Sequence, residues 1–235
     1  MLKKIMYLLK KPVVAFRMNH EILWSSIYRD TITDSIWLKD KAVSPGRWAV
    51  GYPFLYVLYR CLNDLKPKTI LELGLGQSTR LTCQYAQYYH IPHLVCEHDK
   101  DWVDFFKINL HLSEYTTIEL LPLKEEKYQQ YSYTCYENFA TKVSQNKYDL
   151  ILIDGPFEHG CTYARRDILK VLPAVLAPDF AIMLDDYGSK AEQYTAADIK
   201  AILYDHKIEF TEAVYVGAKK LCLITSKSWH FLCNV

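Results

Sequence analysis

From about residue 66 onwards, short apolar runs alternate with longer amphipathic segments. Five of these runs predict buried strands, at 69–76, 93–99, 116–123, 148–156 and 180–188. Most of the segments between them carry apolar residues at helical spacing. Strands that alternate with helices and are apolar throughout usually form a parallel sheet with both faces covered. The sequence therefore predicts an α/β fold built on a doubly wound parallel sheet.

Helices are expected between the strands, and Ser78 is the predicted N-cap of the first of them. The five helical segments are 79–89, 101–112, part of 135–146, 163–176 and 192–207. The chain then closes with two strands joined across Gly217, Ala218 and Lys219. Because no helix separates these two strands, they predict an antiparallel hairpin at one edge of the sheet.

Residues 1–65 lack this rhythm, and we interpret them as a cap of helices and a loop over the open side of a main domain at 66–235. The N-terminus is basic and apolar, but Lys10, Lys11 and Pro12 interrupt the stretch that a secretory signal needs. A helix packed on the domain is the favoured interpretation. A basic amphipathic helix on an anionic membrane surface, giving a peripheral membrane contact, is the alternative.

Composition narrows the class of protein. The chain has 235 residues, is 50% hydrophobic and carries a formal net charge of +1. That is enough for one α/β domain with a sizeable core, and the near-neutral charge argues against nucleic acid as a partner. Seven cysteines without a Cys-x-x-Cys spacing predict neither a disulfide framework nor a zinc site. We therefore expect buried thiols and a cytoplasmic protein, free or at the membrane periphery.

A loop with two glycines follows the first predicted strand. Glycines between a strand and a helix allow a tight turn and the close approach of a ligand, and the helix N-terminus offers unpaired N–H groups. Dinucleotide-binding folds use the same device. Their third glycine is missing here, because Thr79 stands three residues after Gly76. The candidate cofactor-binding residues of this loop are Glu72, Gly74, Gly76, Gln77 and Ser78.

Glu97 ends the next predicted strand, where an acid can accept both hydroxyls of a ribose. The loop, Glu97 and the two-strand ending together resemble class I S-adenosylmethionine (SAM)-dependent methyltransferases. The resemblance implies a Rossmann-like, seven-stranded sheet with an antiparallel C-terminal strand, and SAM as the cofactor. It implies Glu72 near the methionine amino group and Glu97 at the ribose. His98 is a further candidate for contact with the adenine or ribose. A solvated strand-end acid is the alternative for Glu97.

Three aspartates follow two later strands: Asp154 in IDGP, and Asp185 and Asp186 in LDDYG. Neighbouring parallel strands end at the same crevice, so these carboxylates are expected to converge. Like charges placed so closely need a bound cation or a retained proton, and oxygen ligands suit Mg²⁺. The alternative is that they pair with the nearby basic side chains Arg165, Arg166 or Lys190.

The aspartate pattern resembles metal-dependent O-methyltransferases of the catechol, macrolide-sugar and bacterial polysaccharide-cluster types. The resemblance covers residues 66 to about 227. It implies Asp154, Asp185 and Asp186 as Mg²⁺ ligands, Asp154 near the cofactor, and a saccharide or small-molecule hydroxyl as the acceptor. The catechol group carries Asn in place of Asp186, and the segment FEHGCTYARRD differs from that family's usual pattern. The loop and the DGP strand end also resemble those of plant polysaccharide-acid methyltransferases. That second resemblance does not decide whether a metal is bound.

The implied reaction is O-methylation, in which the metal lowers the pKa of the acceptor hydroxyl. The main contribution of the protein would be to position the two reactants. His159, five residues after Asp154, is the candidate general base. A metal-independent methyltransferase would use Asp154 or His159 as the base. Arg165 and Arg166 are candidates for holding an acidic sugar or a phosphate, unless they lie on a solvated helix face.

Two further classes of function use the same sheet. A nicotinamide oxidoreductase is disfavoured by the missing third glycine, and a non-catalytic binding subunit has no need of clustered carboxylates. Two aromatic residues, Trp102 and Phe105, are expected in the core, whereas Trp48 belongs to a lid or, more simply, to the core. The sequence does not decide the oligomeric state, and an oligomer is possible.

Overall fold

The computed structural model describes residues 2–46, 48–110, 112–157 and 161–234. Its helices are α1 (Leu2–Thr31), α2 (Tyr52–Arg60), α3 (Gln77–Tyr89), α4 (Lys100–Asn109), α5 (Phe139–Val143) and α6 (Lys190–Asp205). Its strands are β1 (Ile70–Leu73), β2 (His93–Glu97), β3 (Thr116–Leu120), β4 (Leu123–Tyr128), β5 (Tyr131–Tyr136), β6 (Tyr148–Ile153), β7 (Leu176–Leu184), β8 (Phe210–Val216) and β9 (Lys220–Ser226). A π-helical segment (Cys61–Leu65) extends α2, and 3-10 helical segments lie at Asp167–Lys170 and Lys227–Asn234.

Seven strands form one sheet in the order β3-β2-β1-β6-β7-β9-β8. The first five run parallel, and β9 is inserted antiparallel between β7 and β8. This confirms the predicted doubly wound, Rossmann-like sheet with its antiparallel C-terminal strand. The strand order reverses between the neighbours β1 and β6, where Leu73 pairs with Ile153. Ligands of such sheets bind in the crevice at the carboxyl ends of these strands.

Both faces of the sheet are covered. On one face, Leu150 and Leu223 pack in a core with Phe54 and Leu58 of α2. On the other face, Ile151 packs in a second core with residues of α5 and α6. Successive residues of β6 thus enter opposite cores, as the two-residue period of a strand requires. The N-terminal segment contributes Tyr28 and Phe54 to the first of these cores. Its extent as a cap over 1–65 and the domain boundary at residue 66 stay predictions.

The α1 helix packs on the body through its C-terminal part. Tyr28 is buried there, whereas Val13, Phe16 and Ile22 are each more than half exposed. The favoured interpretation, a helix packed on the domain, therefore holds for the C-terminal part of α1, whereas Val13 and Phe16 are exposed. Within the part of the chain that the structure describes, no helix is both long and apolar enough to cross a membrane.

The helix predicted over 163–176 is wrong. Arg165 has φ 55°, in the left-handed region, which a right-handed helix cannot contain. A 3-10 segment of four residues (Asp167–Lys170) takes its place, and β7 already begins at Leu176. The side chain of Arg165 extends from this bend into the acidic cluster described below.

Two other local predictions need correction. The Tyr-rich stretch after β3 contains the hairpin β4–β5, which sequence reasoning missed, before the expected short helix α5. The N-cap of α3 is Gly76 rather than Ser78. The hydroxyl of Ser78 donates instead to the buried carboxylate of Glu72. Five of the seven cysteines are buried, as expected, whereas Cys161 and Cys233 are partly exposed.

Candidate cofactor and acceptor site

A cavity of about 980 Å³ lies where the strand order reverses. Its wall contains Gly74 and Gly76 from the loop after β1, and Glu97 at the end of β2. The same wall contains Asp154 after β6 and Asp186 after β7. Two groups of residues that were singled out separately in the sequence therefore face one continuous space.

Two glycines allow the loops after β1 and β6 to approach each other closely. Gly74 has φ 95°, and a Cβ there would lie 3.0 Å from the carbonyl carbon and oxygen of Asp154. A Cβ on Gly155 would lie 2.6 Å from the Tyr136 hydroxyl and 2.9 Å from Gly74. Neither position has room for a side chain, so the loops after β1 and β6 meet only because both residues are glycine.

Gly76 has a different role. Its φ of −164° is extended backbone that any residue adopts, and a Cβ there would meet nothing within 4 Å. Its N–H is bonded to the Thr79 hydroxyl at 3.0 Å, which caps α3. Gln77, also in the cavity wall, accepts a hydrogen bond from Ser44 N at 2.9 Å, tying the N-terminal segment to this loop. The site thus has open space beside the first turn of α3.

Glu72 lies behind the loop and is not part of the cavity wall. It is completely buried, and its oxygens accept hydrogen bonds from Ser78 and, at 3.0 Å, from the Thr82 hydroxyl. His93 Nε2 lies 3.1 Å from the same carboxylate. Glu72 and Ser78 therefore link β1, β2 and α3, and their predicted contacts with the cofactor stay predictions.

Glu97 is buried at the end of β2 and organises the loops around it. It accepts hydrogen bonds from Leu75 N at 2.9 Å, His98 N at 2.6 Å and Asp99 N at 3.0 Å. Burial acts to raise its pKa, but the His98 side chain and these backbone donors outweigh it and lower the pKa. In turn, the carboxylate raises the pKa of His98. Glu97 is therefore an anion in the cavity wall. Its Oε1 accepts from the backbone of His98 and Asp99, whereas its Oε2 accepts from Leu75 N.

The three aspartates converge as expected, with one oxygen of each within 4.8 Å of the others. Two cations stand among them. Arg165 Nη2 lies 3.0 Å from Asp154 Oδ1 and 2.8 Å from Asp186 Oδ2. Lys219 Nζ lies 3.0 Å from Asp185 Oδ2 and 3.1 Å from Asp186 Oδ1. Of the basic partners that the sequence suggested, only Arg165 takes part, and Lys219 was missed.

The electrostatics of the cluster are uneven. Burial raises the pKa of Asp154 well above its ordinary value, and the charge of Asp185 raises it further. Burial acts in the same direction on Asp186, but Arg165 and Lys219 outweigh it, so the pKa of Asp186 is lowered. The two cations therefore hold Asp186 firmly ionised.

Magnesium does not fit this arrangement, although the three carboxylates are the donors it prefers. An ion bound to Asp154 Oδ1 or Asp186 Oδ2 at about 2.1 Å would lie within about 5 Å of the Arg165 guanidinium. The side chain of Arg165 is buried, so it cannot simply turn into solvent. We therefore derive no chemical step through a metal.

Other predicted residues fall in different places. His159 lies outside the described residues. Arg166 is absent from the cavity wall: it pairs with Asp198 at 2.6 Å and lies over the Tyr128 ring at 4.0 Å. Arg166 therefore links the hairpin β4–β5 to α6 and does not face the cavity.

Two aromatic residues that were expected in the core, Trp102 and Phe105, are exposed instead. Trp102 was expected in the core but is 38% exposed, and its Nε1 donates to the Leu75 carbonyl at 2.7 Å. Phe105, also expected in the core, is 52% exposed. Trp48 is 74% exposed and packs edge-on against Phe157, with the ring centroids 4.8 Å apart. Trp48, Trp102 and Phe157 all line the cavity.

No protein-family model and no curated protein matches the chain. Among solved structures, the S-adenosylhomocysteine (SAH)-bound methyltransferase PaMTH1 of Podospora anserina is similar, with a TM-score of 0.52, 14% identity and 88% of each chain covered. The precorrin-6y C5,15-methyltransferase of Geobacter metallireducens has a TM-score of 0.52 and 13% identity, covering 82% of this chain and 97% of that one. At these identities the similarity concerns the fold alone, which the chain shares with these two methyltransferases.

Proposed function

We propose that the protein is a SAM-dependent methyltransferase that methylates a hydroxyl oxygen of an acceptor bound in the cavity. The observation that carries this proposal is the shared wall of that cavity. It joins the glycine loop and Glu97, which suit a nucleoside, to Asp154 and Asp186, which suit a reacting hydroxyl. A cofactor and an acceptor bound there would lie against each other.

The cofactor would sit over the glycine loop. Gly76 leaves open space beside the first turn of α3, whose N–H groups form the positive end of the helix dipole. Glu97 is buried, ionised and in the wall, which suits it to accept the ribose hydroxyls. His98 and Trp102 border the same part of the wall and would contact the nucleoside.

The reaction proposed is a direct displacement. The acceptor oxygen forms a bond to the methyl carbon while the bond from that carbon to the sulfonium sulfur breaks, leaving SAH. The hydroxyl proton passes to Asp154, which lies in the wall. His159 remains the other candidate base. Because the methyl group is already activated by the sulfonium, the protein contributes chiefly by positioning the two reactants.

A saccharide is the proposed acceptor class, as the resemblance implies. Trp48 and Phe157 support it, since both aromatic rings line the cavity and are at least half exposed. Exposed aromatic faces can cover the apolar face of a sugar ring. The hydroxyls of the same ring would then be free to reach the polar part of the wall.

Calorimetric titration with SAH and with NAD tests the cofactor directly. We expect heat of binding with SAH and none with NAD. Tighter binding of NAD would overturn the proposal in favour of a nicotinamide oxidoreductase on the same sheet. Binding of SAH without methyl transfer to any of a panel of mono- and oligosaccharides would favour the non-catalytic subunit.

Two matched glycine variants locate the nucleoside. Neither Gly76 nor Gly188 has a positive φ, both line the cavity, and a Cβ on either meets nothing within 4 Å. Gly76→Leu should lower SAH affinity at least about tenfold, equivalent to about 1.4 kcal/mol, because its side chain would enter the nucleoside space. Gly188→Leu, beside the acidic cluster, should leave SAH affinity within about threefold. Equal losses would contradict the proposed placement.

A further inference from the structure

The acidic cluster contains its own cations. Arg165 is 5% exposed, Lys219 is partly buried, and their nitrogen atoms lie 2.8–3.1 Å from a carboxylate oxygen of every aspartate in the cluster. We propose that these two side chains take the place of a divalent cation and position Asp154 and Asp186 for methyl transfer without a metal. The catalytic part of this inference rests on the proposed function, whereas the charge arrangement does not.

The backbone is bent to deliver the guanidinium. Arg165 has φ 55° and Asp186 has φ 56°, and both are non-glycine residues in the left-handed region. Such conformations persist only where the surrounding structure imposes them, and they concentrate at functional sites. Here the two bent residues are joined by the contact of 2.8 Å between Nη2 and Oδ2. The second guanidinium nitrogen, Nη1, donates to the Asp185 carbonyl at 3.1 Å, so the group is fixed from two sides.

Lys219 is held by a different part of the chain. It lies in the turn between β8 and β9, where Gly217 N donates to its carbonyl at 2.9 Å. The next N–H along the chain, that of Ala218, donates to the Glu21 carboxylate of α1 at 2.8 Å. The same carboxylate accepts from Tyr52 N at 2.6 Å, at the start of α2. Glu21 therefore fixes the turn that presents the ammonium group.

A metal ion and these cations compete for the same oxygens. Asp154 and Asp185 each have one carboxylate oxygen at hydrogen-bond distance from Arg165 or Lys219, and Asp186 has both. Displacing Arg165 would strand a buried charge, which is costly unless it finds new partners. Every aspartate of the cluster therefore already has a cationic partner, although Arg165 also lies 3.9 Å from Glu192. Removing the cations should instead leave three converging carboxylates with uncompensated charge, which is a site for a hard cation.

Manganese binding tests this exchange without any enzyme assay. The probe is Mn²⁺ itself, followed by loss of the electron paramagnetic resonance signal of the free ion, in the presence of SAH. We expect the wild-type protein to leave the signal unchanged. The double variant Arg165→Met/Lys219→Met should bind Mn²⁺ at least about tenfold more tightly than the wild type. Lys219→Met alone should show a smaller gain, because Arg165 still pairs with Asp154 and Asp186. Adding Asp185→Asn to either variant should abolish that gain.

The outcomes separate cleanly. Stoichiometric Mn²⁺ binding by the wild type, lost in Asp185→Asn, would overturn the inference and restore a metal site while leaving the proposed methyl transfer intact. Variants that still bind SAH but take up no more Mn²⁺ than the wild type would overturn it as well. If removal of Arg165 prevents folding, Lys219→Met carries the test. Failure of SAH to bind the wild type would instead remove the proposed function.

Discussion

The two sides of the cavity are built by different means. On the glycine-loop side, the backbone sets the shape, because Gly74 and Gly155 let two loops approach to a distance that no side chain allows. On the acidic side, side-chain charges from distant parts of the chain set the shape. The sequence named Arg165 as one possible partner of the aspartates but did not indicate Lys219. The glycines of the first side can be recognised in the sequence, whereas the ion pairs of the second side depend on contacts that form on folding.

The largest expected effect tests the backbone side. Gly74→Ala would force φ 95° on an alanine, at about 1–2 kcal/mol, and press its Cβ to 3.0 Å from the Asp154 backbone, at about 1–3 kcal/mol more. We expect the free energy of unfolding in urea to fall by about 2–5 kcal/mol. Gly46→Ala is the matched control, since Gly46 has φ 99° but open space around it, and should cost only the strain. Equal losses in the two variants would show that the close approach is not what holds the loop.

A smaller effect separates the two sides by ligand binding. Glu97→Gln removes the negative charge proposed to accept the ribose hydroxyls, so SAH affinity should fall roughly 10- to 100-fold, the size of a charge-assisted hydrogen bond. Asp185→Asn, a buried change of the same shape on the other side, should leave SAH affinity within about threefold. Calorimetric titration measures both, and melting temperatures report whether each variant is folded. A loss of SAH binding in Asp185→Asn would mean that the acidic cluster holds the cofactor itself.

Local patterns were enough to predict most of the sheet. Apolar runs ended by glycine or acid placed β1, β2, β6 and β7, and the absence of a helix across Gly217 predicted the antiparallel hairpin of β8 and β9. The insertion of β9 between β7 and β8 was implied only by the methyltransferase resemblance. The convergence of Asp154 with Asp185 and Asp186 followed from the parallel topology alone. Parallel strands bring their carboxyl ends to one edge of the sheet, so spacing along the chain was sufficient.

Long-range side-chain contacts explain what could not be predicted. The pattern over 163–176 has helical spacing, but Arg165 has a left-handed backbone conformation and pairs with Asp154 and Asp186, which are distant in the sequence. Lys219 gave no signal at all, because a lysine in a hairpin turn is ordinarily solvated. The hairpin β4–β5 was missed since its polar, Tyr-rich strands lie apart from the main sheet and show no continuous apolar run.

The smallest expected effect is a dependence on pH that comes from the Glu97–His98 pair on the glycine-loop side of the cavity. The pKa of Glu97 is lowered, so its contribution to stability is present above the unfolded value and is lost as the pH falls through the lowered pKa. The pKa of His98 is raised by the Glu97 carboxylate, so its contribution is complete below about pH 6.5 and is lost as the pH rises through the raised pKa. The pair should therefore stabilise the protein most between about pH 4.5 and 6.5, by less than about 1 kcal/mol. Urea unfolding of the wild type and of His98→Gln from pH 4 to 8.5 should converge at the alkaline end; a difference that instead grows with pH would mean that His98 is neutral in the folded protein.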